Sequence, residues 1–223
     1  YLISGDETLR EQLYPLMKGA VAFFLDFLIP HPNGKWLVTN PSTSPENFPD
    51  NGTNGPYFDE CTSGIRPGTS ICAGSTIDMQ ILDDLFAYYI ETANALGLDA
   101  DLVQQVAEAK AKLVPPQVGS DGSLQEWADD WGQLEPEHRH ASHMYGLYPG
   151  DVISVGKTPE LLDACKAVLE RRGDAATGWS RAWKVGLWSR LHDGNRANQI
   201  LRRYMTEQTW PQLFSKCGTP LQV

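Results

Sequence analysis

Glu46 is the only ionisable side chain in residues 36–47, WLVTNPSTSPEN. Pro41 and Pro45 fix their own φ and push the residue before each toward extended geometry. Ser42, Thr43, Ser44 and Asn47 carry short side chains that bond to nearby backbone. A stiff polar loop that presents one carboxyl group is a way to place a proton donor. Composition alone favours a blander role, an ordinary connector with a solvated glutamate.

The second chemical stretch is residues 135–145, EPEHRHASHMY, with three of the five histidines of the chain. His138, His140 and His143 follow H-x-H-x-x-H, a spacing used by metallo-β-lactamases. Ser142 stands where that motif carries an acid, no β-sandwich can be built from this sequence, and helical H-x-x-x-H spacing is absent. No metal is therefore expected. Histidines bonded to backbone in a wet loop are one reading; a sugar site is the other, because Arg139 and His140 suit hydrogen bonds to the hydroxyls of a polyol. Trp127, Trp131 and Trp179 have faces that can stack on the apolar side of a sugar, whereas Trp183 and Trp188 read as helix core. Acids and aromatics without a basic patch are common in carbohydrate clefts.

Helices must position these residues. Apolar residues at 3–4 spacing from Leu9 to Leu28 predict a helix over residues 7–29, with Pro15 kinking it or marking a later start and Pro30 ending it. Residues 36–74 read mostly as loop, and a loop that long is normally functional. Ser75 and Asp78 form a capping-box-like start to a helix that ends at Gly97, with Ile77, Ile81, Leu85, Tyr88, Tyr89, Ala93 and Leu96 inward. A partner helix starts at Asp99 or Asp101 and stops at Pro115-Pro116. After a second irregular region, residues 119–150, three more helices follow: one from Thr158-Pro159 to Gly173, one over 178–191, and one opened by Asp193. The expected fold is all-α, built of helical hairpins.

A formal charge of −10 argues against nucleic acid or an anionic membrane as partner. The apolar run VAFFLDFLI is too short to span a membrane and is interrupted by Asp26. With 41% hydrophobic residues and seven tryptophans the chain can bury a core. Four cysteines are too few for a disulfide scaffold; Cys61 and Cys72 can close one small ring, and Cys165 reads as a buried thiol. Asn51-Gly52-Thr53 is a glycosylation sequon, and with the cysteines it leans toward secretion. Tyr1 enters without a methionine and Val223 stops without a closing element, so the chain reads as a single segment of a longer catalytic domain.

Five stretches carry a resemblance: WLVTNPSTSPEN, STIDMQILDDLF, SLQEWADD, HRHASHMYGLYPG and TGWSRAWKVGLWSRLHDGNRA. In this order they are similar to motifs of glycoside hydrolase family 95, inverting α-L-fucosidases with some α-L-galactosidases. The resemblance implies part of an (α/α)6 toroid whose inner helices surround an acid-lined pocket. It makes Glu46 the general acid that protonates the leaving glycosidic oxygen, and makes Arg139 and His140 contacts to fucose. His143, Trp127 and Glu126, which lie in the same motifs, are placed with the substrate-binding residues. The family's base, two asparagines in N-x-N and an aspartate in D-G-N-F-G, is expected upstream of Tyr1 and at or past Val223. The expected partners are a fucosylated oligosaccharide or glycan and the remaining segments of the same domain, with no cofactor. Alternatives are an α-L-galactosidase or another six-hairpin glycosidase, a non-catalytic carbohydrate-binding segment, and a zinc hydrolase.

Overall fold

The computed structural model describes residues 7–50, 57–59, 64–66, 70–211 and 214–215. Among them six α-helices dominate: α1 (Glu7–Phe27), α2 (Thr76–Leu96), α3 (Ala100–Lys110), α4 (Leu162–Arg172), α5 (Gly178–Arg190) and α6 (Gly194–Glu207). The all-α expectation holds, and the architecture is that of helical hairpins forming part of an (α/α)6 toroid. None of these helices is long and apolar enough to cross a membrane.

Short strands interrupt the stretch expected to be loop. β1 (Leu28–Pro30) pairs antiparallel with β2 (Leu37–Thr39), which ends α1 two residues before the expected boundary. β3 (Pro49–Asp50) pairs with β6 (Gly132–Gln133), and β4 (Tyr57–Asp59) with β5 (Gly64–Arg66). α1 runs through Pro15 without ending. Pro15 lies on the exposed side, where the carbonyl that it leaves unbonded can meet water.

Two apolar cores divide the described residues. In one, Tyr14 and Val21 of α1 meet Met79, Leu82, Phe86, Tyr89 and Ala93 of α2 and Val106 and Ala109 of α3. The inward face of α2 is thus the 79–82–86–89–93 row, which shares Tyr89 and Ala93 with the expected one; Ile81 and Tyr88 are at the surface. Leu85 and Leu96 pack against this core as well; apolar residues stand on two sides of the helix, so periodicity alone draws the inward face too wide. In the second core, Cys165, Val168 and Leu169 of α4, Leu187 and Trp188 of α5 and Ala197 and Ile200 of α6 close over Leu124, Met144 and Leu147.

The start of α2 departs from the expected cap. Ser75 is the N-cap residue, but its side chain makes no capping bond. Its Oγ lies 2.9 Å from Ser42 Oγ, and Asp78 accepts from Thr39 Oγ1 at 2.8 Å instead of reaching back to Ser75. Both side chains tether the preceding loop. Asp193 does cap α6, accepting from the Arg196 N–H at 2.9 Å.

Cys72 is a buried thiol, and burial pushes it up to about 11. Cys165 is buried and free as expected. Cys61 and the Asn51 sequon lie outside the described residues.

Candidate active site

The Glu46 loop leaves β2 and is fastened along its length. Backbone bonds join Ser42 and Cys72 in both directions at 2.9 and 2.8 Å, and the Gly74 N–H donates to Thr39 O at 2.9 Å. Gly74 has φ +67°, and a Cβ there would sit 2.6 Å from Val38 Cγ1, so the close approach requires glycine. The Asn40–Pro41 and Pro45–Glu46 peptide bonds are cis. Ser142, in a 3₁₀ turn (Ser142–Met144), donates to the Pro45 carbonyl.

At the tip, Glu46 is exposed over 56% of its side chain and pairs with Arg139, itself 43% exposed. His140 Nε2 stands 3.9 Å from the same carboxylate oxygen. The ring of His140 lies 5.4 Å from Trp179 and 5.3 Å from His138. Trp179, on the first turn of α5, is exposed, and its ring stands 5.2 Å from that of Trp183. The structure therefore gathers a carboxylate, a guanidinium, an imidazole and an open indole face at one place on the surface. Burial lowers the His140 imidazole from its ordinary value, opposed by Glu46; burial lowers His138 as well, helped by Arg139. Both rings are then mainly neutral near pH 7 and able to exchange hydrogen bonds with hydroxyls.

Three residues assigned to substrate lie beneath this surface. Glu126, Trp127 and His143 are all buried. Trp127 offers no open face to a sugar; it packs against Trp131 with ring centres 6.5 Å apart. Glu126 accepts from Ser44 Oγ at 2.8 Å, Asn47 Nδ2 at 3.3 Å and Arg172 Nη2 at 3.0 Å. His143 Nδ1 is 3.7 Å from Glu126 Oε1, beyond hydrogen-bond reach. Burial raises the Glu126 carboxyl, but His143, Arg172 and Ser44 outweigh that and hold it down to about 2.

Arg172, the last residue of α4, also donates to the carbonyls of Glu135 and Pro136, both at 2.8 Å. Asn47 joins the same stretch, donating to Glu135 O at 3.3 Å and accepting from Glu135 N at 3.4 Å. Behind Arg172, buried Lys184 donates to Gly173 O at 2.8 Å and Arg172 O at 3.3 Å. Burial and the Arg172 charge push that ammonium down to about 8. The sequence reading did not single out Arg172. Its signal was spacing: Cys165, Val168, Leu169 and Arg172 share one buried helix face, and an arginine on an apolar face needs a partner.

Among the described residues no three His, Cys, Asp or Glu side chains converge as a metal would require. A cavity of about 390 Å³ bounded by Trp36, Met79, Asp83 and Lys110 contains neither Glu46 nor Arg139.

The sequence model of the glycosyl hydrolase family 95 catalytic domain matches residues 1–223. Alpha-L-fucosidase 2 of Arabidopsis thaliana is 40% identical over 196 residues, covering 87% of this chain and 22% of that protein. Probable alpha-fucosidase A of Aspergillus niger is 32% identical over 193 residues, covering 82% of this chain and 22% of its own length. The Aspergillus oryzae protein of the same name is 26% identical over 200 residues, covering 82% and 25%. The chain thus spans about a quarter or less of the curated relatives that it matches.

Proposed function

This chain belongs to glycosyl hydrolase family 95, and on that premise we propose that it serves the hydrolysis of terminal α-L-fucosyl residues of glycans with inversion, with Glu46 as general acid. The observation that carries the proposal is the convergence of Glu46, Arg139 and His140 beside the exposed face of Trp179. The relatives named alpha-L-fucosidase and probable alpha-fucosidase support fucose as the sugar.

The chemistry follows from what each group can do. Trp179 offers an apolar plane, and a sugar has one apolar face. Arg139 is a fork of donors suited to hydroxyl oxygens, and neutral His140 can donate or accept. In the structure Arg139 is turned to Glu46. Binding of the sugar draws Arg139 to hydroxyl groups, frees the Glu46 carboxyl and covers it from water. Burial or a neighbouring negative charge is what a proton-donating glutamate requires. Neither surrounds Glu46 here: it is 56% exposed, its ion-pair partner is the Arg139 guanidinium, and the neutral His140 ring stands 3.9 Å away. The sugar is the proposed source of the missing burial. An inverting reaction further needs a base that activates water on the opposite sugar face, roughly 6.5–9.5 Å from the acid. The family resemblance assigns that base to an N-x-N and a D-G-N-F-G motif, neither of which occurs in these 223 residues.

The test is Glu46→Gln in the full chain, assayed on a fucosyl disaccharide. Turnover is expected to fall about 10²- to 10⁴-fold, the usual contribution of a general acid, with affinity for the sugar nearly unchanged. Unaltered turnover would refute the role. Parallel assays on the α-L-galactoside, which differs by one hydroxyl at C6, decide between the two sugars.

A further inference from the structure

Both loops of the site rest on one buried ion pair. Glu126 and Arg172 have side chains 1% exposed, so neither can touch a sugar, and they lie 3.0 Å apart. Glu126 takes bonds from Ser44 and Asn47, the residues two before and one after Glu46. Arg172 gives bonds to the carbonyls of Glu135 and Pro136, at the base of the loop that carries Arg139 and His140. Asn47 closes the circuit by bonding both backbone groups of Glu135.

We propose that Glu126 and Arg172 are positioning residues for the reaction, one carboxylate–guanidinium pair that sets the separation of the Glu46 loop from the Arg139 loop. The proposal rests on Glu46 being the general acid. Residues 42–46 are small, polar or proline, so little apolar packing holds the tip in place. Its side-chain anchors are Ser42 to Ser75 and Asp78, and Ser44 to Glu126, joined by the Ser142 hydroxyl on the Pro45 carbonyl. The first fixes the entry to the loop; the second lies next to the acid. A buried ion pair adds little stability compared with well-packed apolar residues, but it does fix one geometry. Proton transfer to a leaving oxygen is sensitive to geometry: a misplacement of about 1 Å costs on the order of 10²-fold.

Leaving-group dependence separates positioning of the acid from simple support of the fold. A fucoside with a poor leaving alcohol needs the proton, whereas a 2,4-dinitrophenyl fucoside departs without it. Glu126→Gln, Ser44→Ala and Glu46→Gln are to be compared in the full chain on both substrates. Glu126→Gln is expected to lower kcat about 10²-fold on the disaccharide and only severalfold on the dinitrophenyl substrate, with KM nearly constant. Ser44→Ala, which removes a single anchor, is expected to show the same selectivity at about tenfold; it decides the matter if Glu126→Gln does not fold. Equal loss on the two substrates, or no loss, in the folded variants would overturn the positioning role. If Glu46→Gln itself shows no selectivity, the general-acid reading fails first. If Glu46→Gln is selective and the other two are not, only the positioning role falls.

Discussion

Two glutamate–arginine pairs tie the same two loops together from opposite environments. Glu46 and Arg139 meet at the surface, 56% and 43% exposed; Glu126 and Arg172 meet in the interior, each 1% exposed. In water the outer pair contributes little and opens readily, a property suited to groups that must exchange each other for a ligand. The inner pair has every reason to stay closed, because losing either partner strands a charge away from solvent. The same chemistry thus yields a movable contact in one place and a fixed spacer in the other; along the loop only Pro45 stands between Glu46 and Ser44, the residue that Glu126 holds.

The contrast is broken most sharply by activity. Glu46→Gln should cost the disaccharide reaction about 10²- to 10⁴-fold, while leaving the denaturant midpoint nearly unmoved, since surface changes stay within about 0.5 kcal/mol. The inner pair should behave in the opposite sense in unfolding experiments. Glu126→Ala leaves Arg172 buried and uncompensated, and should lower unfolding free energy by about 3–5 kcal/mol in urea titrations. A loss below 1 kcal/mol would mean that water reaches the pair.

Acid titration sharpens the comparison further. The Glu126 carboxyl is held down to about 2, against an ordinary value of 4.5. A carboxyl depressed by folding contributes stability that is fully present above about pH 4.5 and lost as pH falls toward 2. Urea midpoints measured from pH 7 to pH 3 should therefore decline more steeply in the natural chain than in Glu126→Gln. Coincident slopes would remove Glu126 from the acid response. The smallest effect belongs to Arg139→Ala, expected to change unfolding free energy by at most about 1 kcal/mol, and to leave an unfolding curve less sensitive to added salt.

Helix positions were legible in the sequence because long apolar runs and their stops are local signals. Gly97 after Leu96, Gly173 after Arg172 and Asp193 before α6 all stand where expected. The inward face of α2 is legible only in part: Tyr89 and Ala93 are buried as expected, but Ile81 and Tyr88 are apolar yet exposed, and only the packing of α1 and α3 selects the Phe86 side. The Ser75–Asp78 pattern was read as a capping box, whereas both side chains serve a loop more than 30 residues earlier. Such long-range partners leave no trace in spacing.

The site divides in the same way. Glu46, Arg139 and His140 were recognisable as chemical groups and do come together. Trp127 stands out in the sequence as a stacking face, His143 by its spacing and Glu126 as a motif member, but sequence cannot tell a residue that faces a ligand from one lying beneath it. Each is buried, and Glu126 bonds the loop instead. Arg172 escaped notice because an arginine in the last turn of a helix is ordinarily a solvated partner of the helix dipole.

The central claim is that Glu46 hands a proton to the leaving oxygen. Its most direct test is a series of aryl α-L-fucosides of graded leaving-group acidity, assayed with the natural chain and with Glu46→Gln. With the acid in place, kcat should vary little across the series. Without it, kcat should fall steeply as the leaving group becomes more basic, and the two proteins should converge at the most acidic phenol. Parallel lines, with Glu46→Gln equally affected at both ends of the series, would contradict the claim.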